Sequence, residues 1–173
     1  MAFRFVVFVI VSAGILFVSW PSLPRAHGFL RFYALESILT LILFNLEYWF
    51  RDPFSAPQIV SWSLLSLSLL LVVHSFRLLR IAGKPRDKIE STTALVQVGV
   101  YKYIRHPLYS ALLWLGWGVF FKRPSLVGGV LVLAASAALF ATAKVEEAQN
   151  LRRFGSAYEV YVKATKMFIP FLF

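Results

Sequence analysis

The fold is decided by residues 108–143, LYSALLWLGWGVFFKRPSLVGGVLVLAASAALFATA, in which two uncharged blocks flank Lys122-Arg123-Pro124-Ser125. A bilayer core of ~30 Å needs about 20 helical residues at ~1.5 Å each. The second block, Leu126–Ala143, approaches that length, whereas the first, Leu108–Phe121, covers only roughly 21 Å as a helix. The first block can span the membrane if Pro107 begins the helix and Lys122 and Arg123 snorkel to the far interface. Otherwise both blocks dip into the membrane without crossing it. Either arrangement predicts a helical hairpin that returns the chain to its starting side.

Three further apolar blocks precede this hairpin, at Phe5–Trp20, Phe29–Phe50 and Ile59–Phe76. The hydrophobic fraction of the chain is 59%, above the roughly 45–50% of soluble domains. The first block lacks a small-x-small cleavage site and is interpreted as a retained span rather than a signal peptide. We therefore expect an all-α integral membrane protein with about five transmembrane helices. Its single domain has three N-terminal spans in residues 1–80 and the hairpin with a C-terminal tail in residues 81–173.

The basic residues show which connections share a membrane face. The net charge is +10, and no module for reading nucleic acid accompanies it. With five crossings, one face carries Arg25, Arg31, Arg77, Arg80, Lys84, Arg86, Lys88, Lys102, Arg105, Lys144, Arg152, Arg153, Lys163 and Lys166. The other face carries Arg4, Arg51, Lys122 and Arg123. The positive-inside bias then predicts an N-terminus outside and a C-terminus in the cytosol.

Several chemistries are excluded or weakly supported. The chain has no cysteine, which excludes disulfides, thiolate metal sites and a cysteine nucleophile. Ionisable residues within apolar blocks are functional candidates by default. Of these, Glu36 is a candidate for lining a substrate path, whereas Glu47 is expected to pair with Arg51. Together with His74, these residues are weaker candidates than the residues at the end of the hairpin.

A stronger candidate site lies at the predicted cytosolic end of the hairpin. Gly99 suits a turn, and Pro107 suits a first helical position, which leaves Arg105 and His106 at the membrane boundary. Glu146 and Glu147 follow the second block, and antiparallel helices bring them towards His106. Singly, such residues are usually interfacial anchors or a solvated helix segment. Together, beside a long basic connection, they favour a functional site.

Two motifs resemble a known family. They are Gly99-x-Tyr101-x-x-x-Arg105-His106-Pro107-x-Tyr109 and Glu146-Glu147-x-x-x-Leu151-x-x-Phe154-Gly155-x-x-Tyr158-x-x-Tyr161. Their combination is similar to the isoprenylcysteine carboxyl methyltransferase family of integral membrane enzymes. Phospholipid N-methyltransferases share the plan, including a Gly-x-Gly that here is Gly116-Trp117-Gly118. The resemblance covers roughly residues 92–170.

The resemblance implies S-adenosylmethionine as methyl donor, held in a cytosolic pocket that opens sideways to lipid, and a lipid-like or hydrophobic acceptor. In-line methyl transfer needs alignment and water exclusion, and no metal. The implied donor contacts are Thr93, Ala94, Leu95, Val96, Tyr101, Arg105, His106, Pro107, Leu108, Tyr109 and Glu146. Glu146 and His106 would hold the donor without proton chemistry, and Arg105 or Lys102 would balance its carboxylate. Glu147 is expected to contribute less, since adjacent helical positions point about 100° apart.

Alternative functions follow from the same residues. Isoprenylcysteine-modifying members carry a histidine at the position of Thr93 and an arginine at the position of Thr142, so the resemblance supports the reaction class more than a prenylated acceptor. A phospholipid N-methyltransferase is the first alternative. A nicotinamide-dependent enzyme similar to sterol reductases and a non-catalytic membrane protein are the others.

The topology is tested by cysteines introduced at Lys84 and Lys163 into the cysteine-free chain. Both are expected to react with an impermeant thiol reagent only from the cytosolic side, because both lie among the basic residues of that face. Labelling of either position in intact cells would contradict the orientation.

Overall fold

The structure is a computed structural model that describes residues 2–23, 26–83 and 94–172. Within these ranges it is helical, which confirms the predicted all-α class. The helices are α1 (Ala2–Ser19), α2 (Ala26–Phe44), α3 (Ala56–Ala82), α4 (Pro107–Phe120), α5 (Leu126–Phe154) and α6 (Ser156–Ala164). Short 3-10 turns lie at Trp20–Ser22, Leu46–Tyr48 and Gly99–Lys102. The β pairing in the described ranges is a single parallel bridge between Ile104 and Lys166.

Each predicted apolar block overlaps a helix, although α2 ends at Phe44, before the predicted end of its block at Phe50. Helix α4 begins at Pro107. Helix α5 continues past its apolar block to Phe154, and Gly155 ends it with a φ of 56°. Helices α1, α3 and α5 are long and apolar enough to cross a membrane, whereas α4 is an apolar helix of shorter length. The number of crossing helices and the side of each terminus stay predictions.

The Cα positions divide the chain into two compact units. The first comprises Met1–Leu65 with Leu113–Glu146, and the second Ser66–Leu112 with Glu147–Phe173. The division cuts through α3, α4 and α5, because each of these helices contributes residues to both units.

The core of the first unit joins α2 and both helices of the hairpin. Leu41, Val119 and Val132 are fully or almost fully buried there, each from a different helix. The chain approaches closely at Gly118, where a Cβ atom would lie 3.0 Å from the Leu65 side chain. The Gly-x-Gly of the sequence motif therefore has a packing function at this glycine.

The first unit also brings together the four basic residues predicted to share the minor face. Arg4 pairs with Glu47, which corrects the expected partner, since Arg51 lies 3.9 Å from Asp52 instead. Lys122 donates to the Trp49 carbonyl oxygen and to Gln58, and its ammonium lies 3.6 Å from the centre of the Trp62 ring. Arg51 and Arg123 both approach the Tyr48 ring, at 5.8 and 4.6 Å from its centre. The start of α1 and the two connections α2–α3 and α4–α5 therefore meet within the first unit.

The second unit is organised by the turn at Gly99. This glycine has a φ of 58°, and a Cβ atom would come within 2.6 Å of Leu78. Glycine is thus required both by the backbone conformation and by the space against α3. The turn leads into residues 103–106, which run beside the C-terminal segment and then enter α4.

Candidate active site

Arg105 bonds to two neighbouring helices in the second unit. Its Nε donates to Glu147 Oε1 at 2.7 Å, and its Nη1 donates to the carbonyl oxygens of Val162 and Thr165. These carbonyls lie at the C-terminal end of α6, where helices expose unpaired acceptors and favour a positive charge. Only 9% of the arginine side chain and 14% of the glutamate side chain are exposed. One guanidinium therefore connects the start of α4 with α5 and α6 in a largely desolvated setting.

His106 lies in an aromatic environment directly after Arg105. Its ring stacks on Tyr109 with centroids 5.7 Å apart and an angle of 18°, and the Phe168 ring lies 6.1 Å away. Its Nε2 is 3.6 Å from Glu147 Oε1, which is longer than a hydrogen bond but close enough for attraction when the imidazole is protonated. All three rings are buried.

Glu147 is ionised because of its two neighbours. It lies beyond Lys144, past the uncharged part of α5. Burial opposes ionisation, but the His106 and Arg105 side chains together outweigh it and lower the pKa of Glu147 to about 2. The carboxylate therefore carries its charge throughout the physiological pH range.

The C-terminal segment is bonded along residues 103–106. Lys166 N–H donates to the Tyr103 carbonyl oxygen at 3.0 Å, and Arg105 N–H donates to that of Lys166 at 2.8 Å. The next pair continues the pattern, since His106 N–H donates to the Met167 carbonyl oxygen at 3.1 Å. The backbone of the motif and that of the tail thus satisfy each other.

Two hydroxyl groups extend this attachment. Ser110 Oγ donates to the Phe168 carbonyl oxygen at 2.8 Å. Tyr161 Oη donates to the Tyr101 carbonyl oxygen at 2.6 Å, and burial raises the pKa of this phenol far above its usual range. Tyr161 therefore stays a proton donor to that carbonyl at all relevant pH values.

Most residues implied as donor contacts lie in this second unit. Val96, Tyr101, His106, Pro107 and Tyr109 are buried, whereas Ala94, Leu95, Arg105 and Leu108 are half-buried. Thr93 lies outside the described residues. Glu146 is half-buried and is the last residue of the first unit. Within the described ranges, no three acidic or histidine side chains form a metal-binding group.

The structure adds residues that the sequence analysis did not assign to the site. Thr165, Met167 and Phe168 belong to the attached tail. Glu147, which was expected to contribute less than Glu146, contacts both Arg105 and His106. The sequence contained one indication that the C-terminal region contributes to the site, because Tyr158 and Tyr161 belong to the second motif. Nothing in the apolar tail itself indicated that its carbonyl groups would bond the backbone of residues 105 and 106.

The fold and the site together indicate a helical membrane protein with a largely buried polar cluster, formed by Arg105, His106 and Glu147. A family model described as phospholipid methyltransferase matches residues 57–157, which include this cluster and both glutamates. The match covers more than half of the chain, and the protein belongs to that family of membrane methyltransferases. A search of curated proteins finds no significant match.

The charge of Glu147 is expected to make stability depend on pH in acid. Because its pKa of about 2 lies below the ordinary 4.5, the stabilisation is complete above pH ~4.5 and is lost as the pH falls towards 2. Glu147→Gln should lower the free energy of unfolding by about 1.5–3 kcal/mol near neutral pH. Melting temperatures of both proteins in detergent should therefore converge between those pH values.

The matched control is Glu159→Gln, which changes an exposed carboxylate on α6. Its melting temperature should follow the unsubstituted protein at every pH. A constant difference between Glu147→Gln and the unsubstituted protein down to pH 2.5 would contradict the assigned pKa.

Proposed function

We propose that this chain transfers a methyl group from S-adenosylmethionine to a lipid-like acceptor in the membrane. The observation that supports the proposal most is the coincidence of the family match with a buried cluster of Arg105, His106 and Glu147. The resemblance of the motif points to the same residues. Membership of the family supplies the reaction class, and the donor and acceptor are the proposed parts.

The buried side chains suit such a donor chemically. The rings of His106, Tyr109 and Phe168 form an aromatic group, and aromatic faces attract a sulfonium cation. Their burial provides the water-poor surroundings that methyl transfer needs. A carboxylate suits the ammonium or ribose hydroxyls of the donor. By resemblance, Glu146 has this role.

When bound, the donor supplies an electrophilic methyl group: the acceptor's lone pair forms the new bond while the carbon–sulfur bond breaks and its electron pair remains on sulfur. The residues of this chain contribute alignment and exclusion of water. In this proposal His106 holds the donor and is not a proton acceptor. A carboxylate or thiolate acceptor then needs no base, whereas an amine acceptor needs a base to remove its proton.

Thr142 bears on the acceptor class. It occupies the position at which isoprenylcysteine-modifying enzymes carry an arginine, and it is fully buried. Its hydroxyl donates to the Ala138 carbonyl oxygen within α5 at 2.8 Å. An intrahelical bond of this kind supplies packing rather than recognition of an anionic group. This favours a phospholipid or other lipid acceptor over a prenylated protein.

Donor identity is tested by titrating purified protein with S-adenosylmethionine and with reduced nicotinamide dinucleotide phosphate, measured by calorimetry. Binding of the first compound alone is expected. Binding of the dinucleotide alone would favour a reductase, and binding of neither would favour a non-catalytic protein.

Two substitutions test the donor contacts in the same assay. Glu146→Gln and His106→Ala should each weaken donor binding by about 2–5 kcal/mol, which is roughly 30-fold to several thousand-fold in affinity. Glu159→Gln is the control, because that side chain is exposed on α6. Circular dichroism should show that all variants keep their helices. Unchanged affinity in both site variants would place the donor elsewhere.

The acceptor class is tested with radiolabelled donor and a panel of acceptors in liposomes and detergent. Product should form with a lipid-soluble amine, carboxylate or thiol, because the acceptor is expected to be concentrated in the bilayer. The amount of labelled product is measured by extraction into an organic phase. Turnover restricted to water-soluble acceptors, and indifferent to lipid, would contradict a lipid substrate.

A further inference from the structure

The contacts of Arg105 are directed at the protein itself. Its Nε faces the Glu147 carboxylate and its Nη1 faces the carbonyl oxygens at the end of α6. This differs from the expected role of an arginine that balances the carboxylate of a bound donor. These contacts indicate a different role for Arg105, the largely buried cation at the start of α4.

We propose that Arg105 is a positioning residue that, with Glu147, fastens the C-terminal segment against residues 103–106 and thereby sets the ring of His106. The proposal rests on the proposed function in that His106 is taken as a donor contact. Here the tail clasp means the Arg105–Glu147 ion pair, the bonds from Arg105 to α6, and the backbone bonds between residues 103–106 and 166–167.

The geometry of a guanidinium explains why the clasp uses arginine. Nε and Nη1 lie on different edges of one rigid plane, so they reach an acceptor on α5 and two acceptors on α6 together. A lysine ammonium is a point charge on a flexible stem, and it does not hold these three directions at once. Glu147 faces both members of the Arg-His pair, at 2.7 Å from Arg105 and 3.6 Å from His106.

The tail transmits the effect to His106 through two routes. Its backbone N–H is bonded to the Met167 carbonyl oxygen, and its ring lies beside Phe168. Phe168 is fixed in turn because its own carbonyl oxygen accepts the Ser110 hydroxyl hydrogen bond. Loosening of the tail would therefore shift the imidazole without removing any donor contact.

A rescue experiment separates positioning from direct contact. The chain has no cysteine, and Ile104 and Lys166 are bridge partners. Residues paired in this way lie about 4.8 Å apart, within the roughly 4.4–6.8 Å that a disulfide spans. Ile104→Cys with Lys166→Cys therefore allows residues 104 and 166 to be locked by oxidation, and each reduced protein is its own reference.

Arg105→Gln and Arg105→Lys, in the reduced cysteine background, should lower donor affinity or kcat/KM by about 100-fold. Oxidation should restore donor affinity to within about threefold of the oxidised protein that keeps Arg105, because the disulfide replaces the clasp. Arg152→Gln, an exposed arginine on the last turn of α5, should have no effect in either redox state.

Two outcomes would overturn the proposal. A disulfide that forms without restoring donor affinity would show that Arg105 contacts the donor or the acceptor directly. A disulfide that does not form in the protein with Arg105 present would show that the two segments are not held together.

A second measurement does not depend on donor binding. If the unsubstituted protein binds no S-adenosylmethionine, that result contradicts the proposed function, and the tail clasp is still tested by proteolysis. Trypsin cleavage at Lys163 and Lys166 reports opening of the tail. Arg105→Gln should speed this cleavage by about tenfold or more, since more of the chain populates the open form. Equal cleavage rates for Arg105→Gln and the unsubstituted protein would overturn the clasp.

Discussion

A bilayer offers no hydrogen-bond partners to a backbone amide, and this constraint governs the distribution of structure along the chain. The apolar blocks are mainly α-helical, and within a helix the amide groups are satisfied by the segment itself. Two of the irregular segments satisfy each other, since residues 103–106 exchange backbone hydrogen bonds with residues 166–167. The polar side chains of the candidate site occur in and beside these two segments. The backbone pairing of residues 103–106 with residues 166–167 therefore lies at the candidate site itself.

Charge pairing is the second requirement, and the two units meet it in different ways. In the first unit, cations lie against aromatic rings and carbonyl groups near Tyr48 and Trp49, as expected for an interfacial belt. In the second unit, Arg105 and Glu147 form a largely buried ion pair with further bonds from the arginine to α6. Such a pair is costly to desolvate, and removing one partner leaves an uncompensated buried charge. The contacts of cations with aromatic rings in the first unit suit anchoring at a membrane interface. The largely buried ion pair in the second unit suits a functional site.

The family assignment gives the polar cluster a chemical context. Methyl transfer requires alignment and a dry environment more than it requires acid–base groups. Buried aromatic rings around His106, a permanently ionised Glu147 and a tail attached by its own backbone are consistent with that demand. At position 142 the helix carries a buried threonine whose hydroxyl donates to the Ala138 carbonyl oxygen within α5.

The sequence alone determined the helical class and the start of α4 at Pro107. These features depend on local rules: helix length against bilayer thickness and the geometry of proline. It also indicated the Arg-His and Glu-Glu residues through a motif. Only the tertiary structure decided that Glu147 faces Arg105 and His106, that Glu47 pairs with Arg4, and that the tail bonds residues 103–106. Those contacts join residues about 40 to 60 positions apart, and their choice depends on helix rotation and on a tail path that no local pattern encodes.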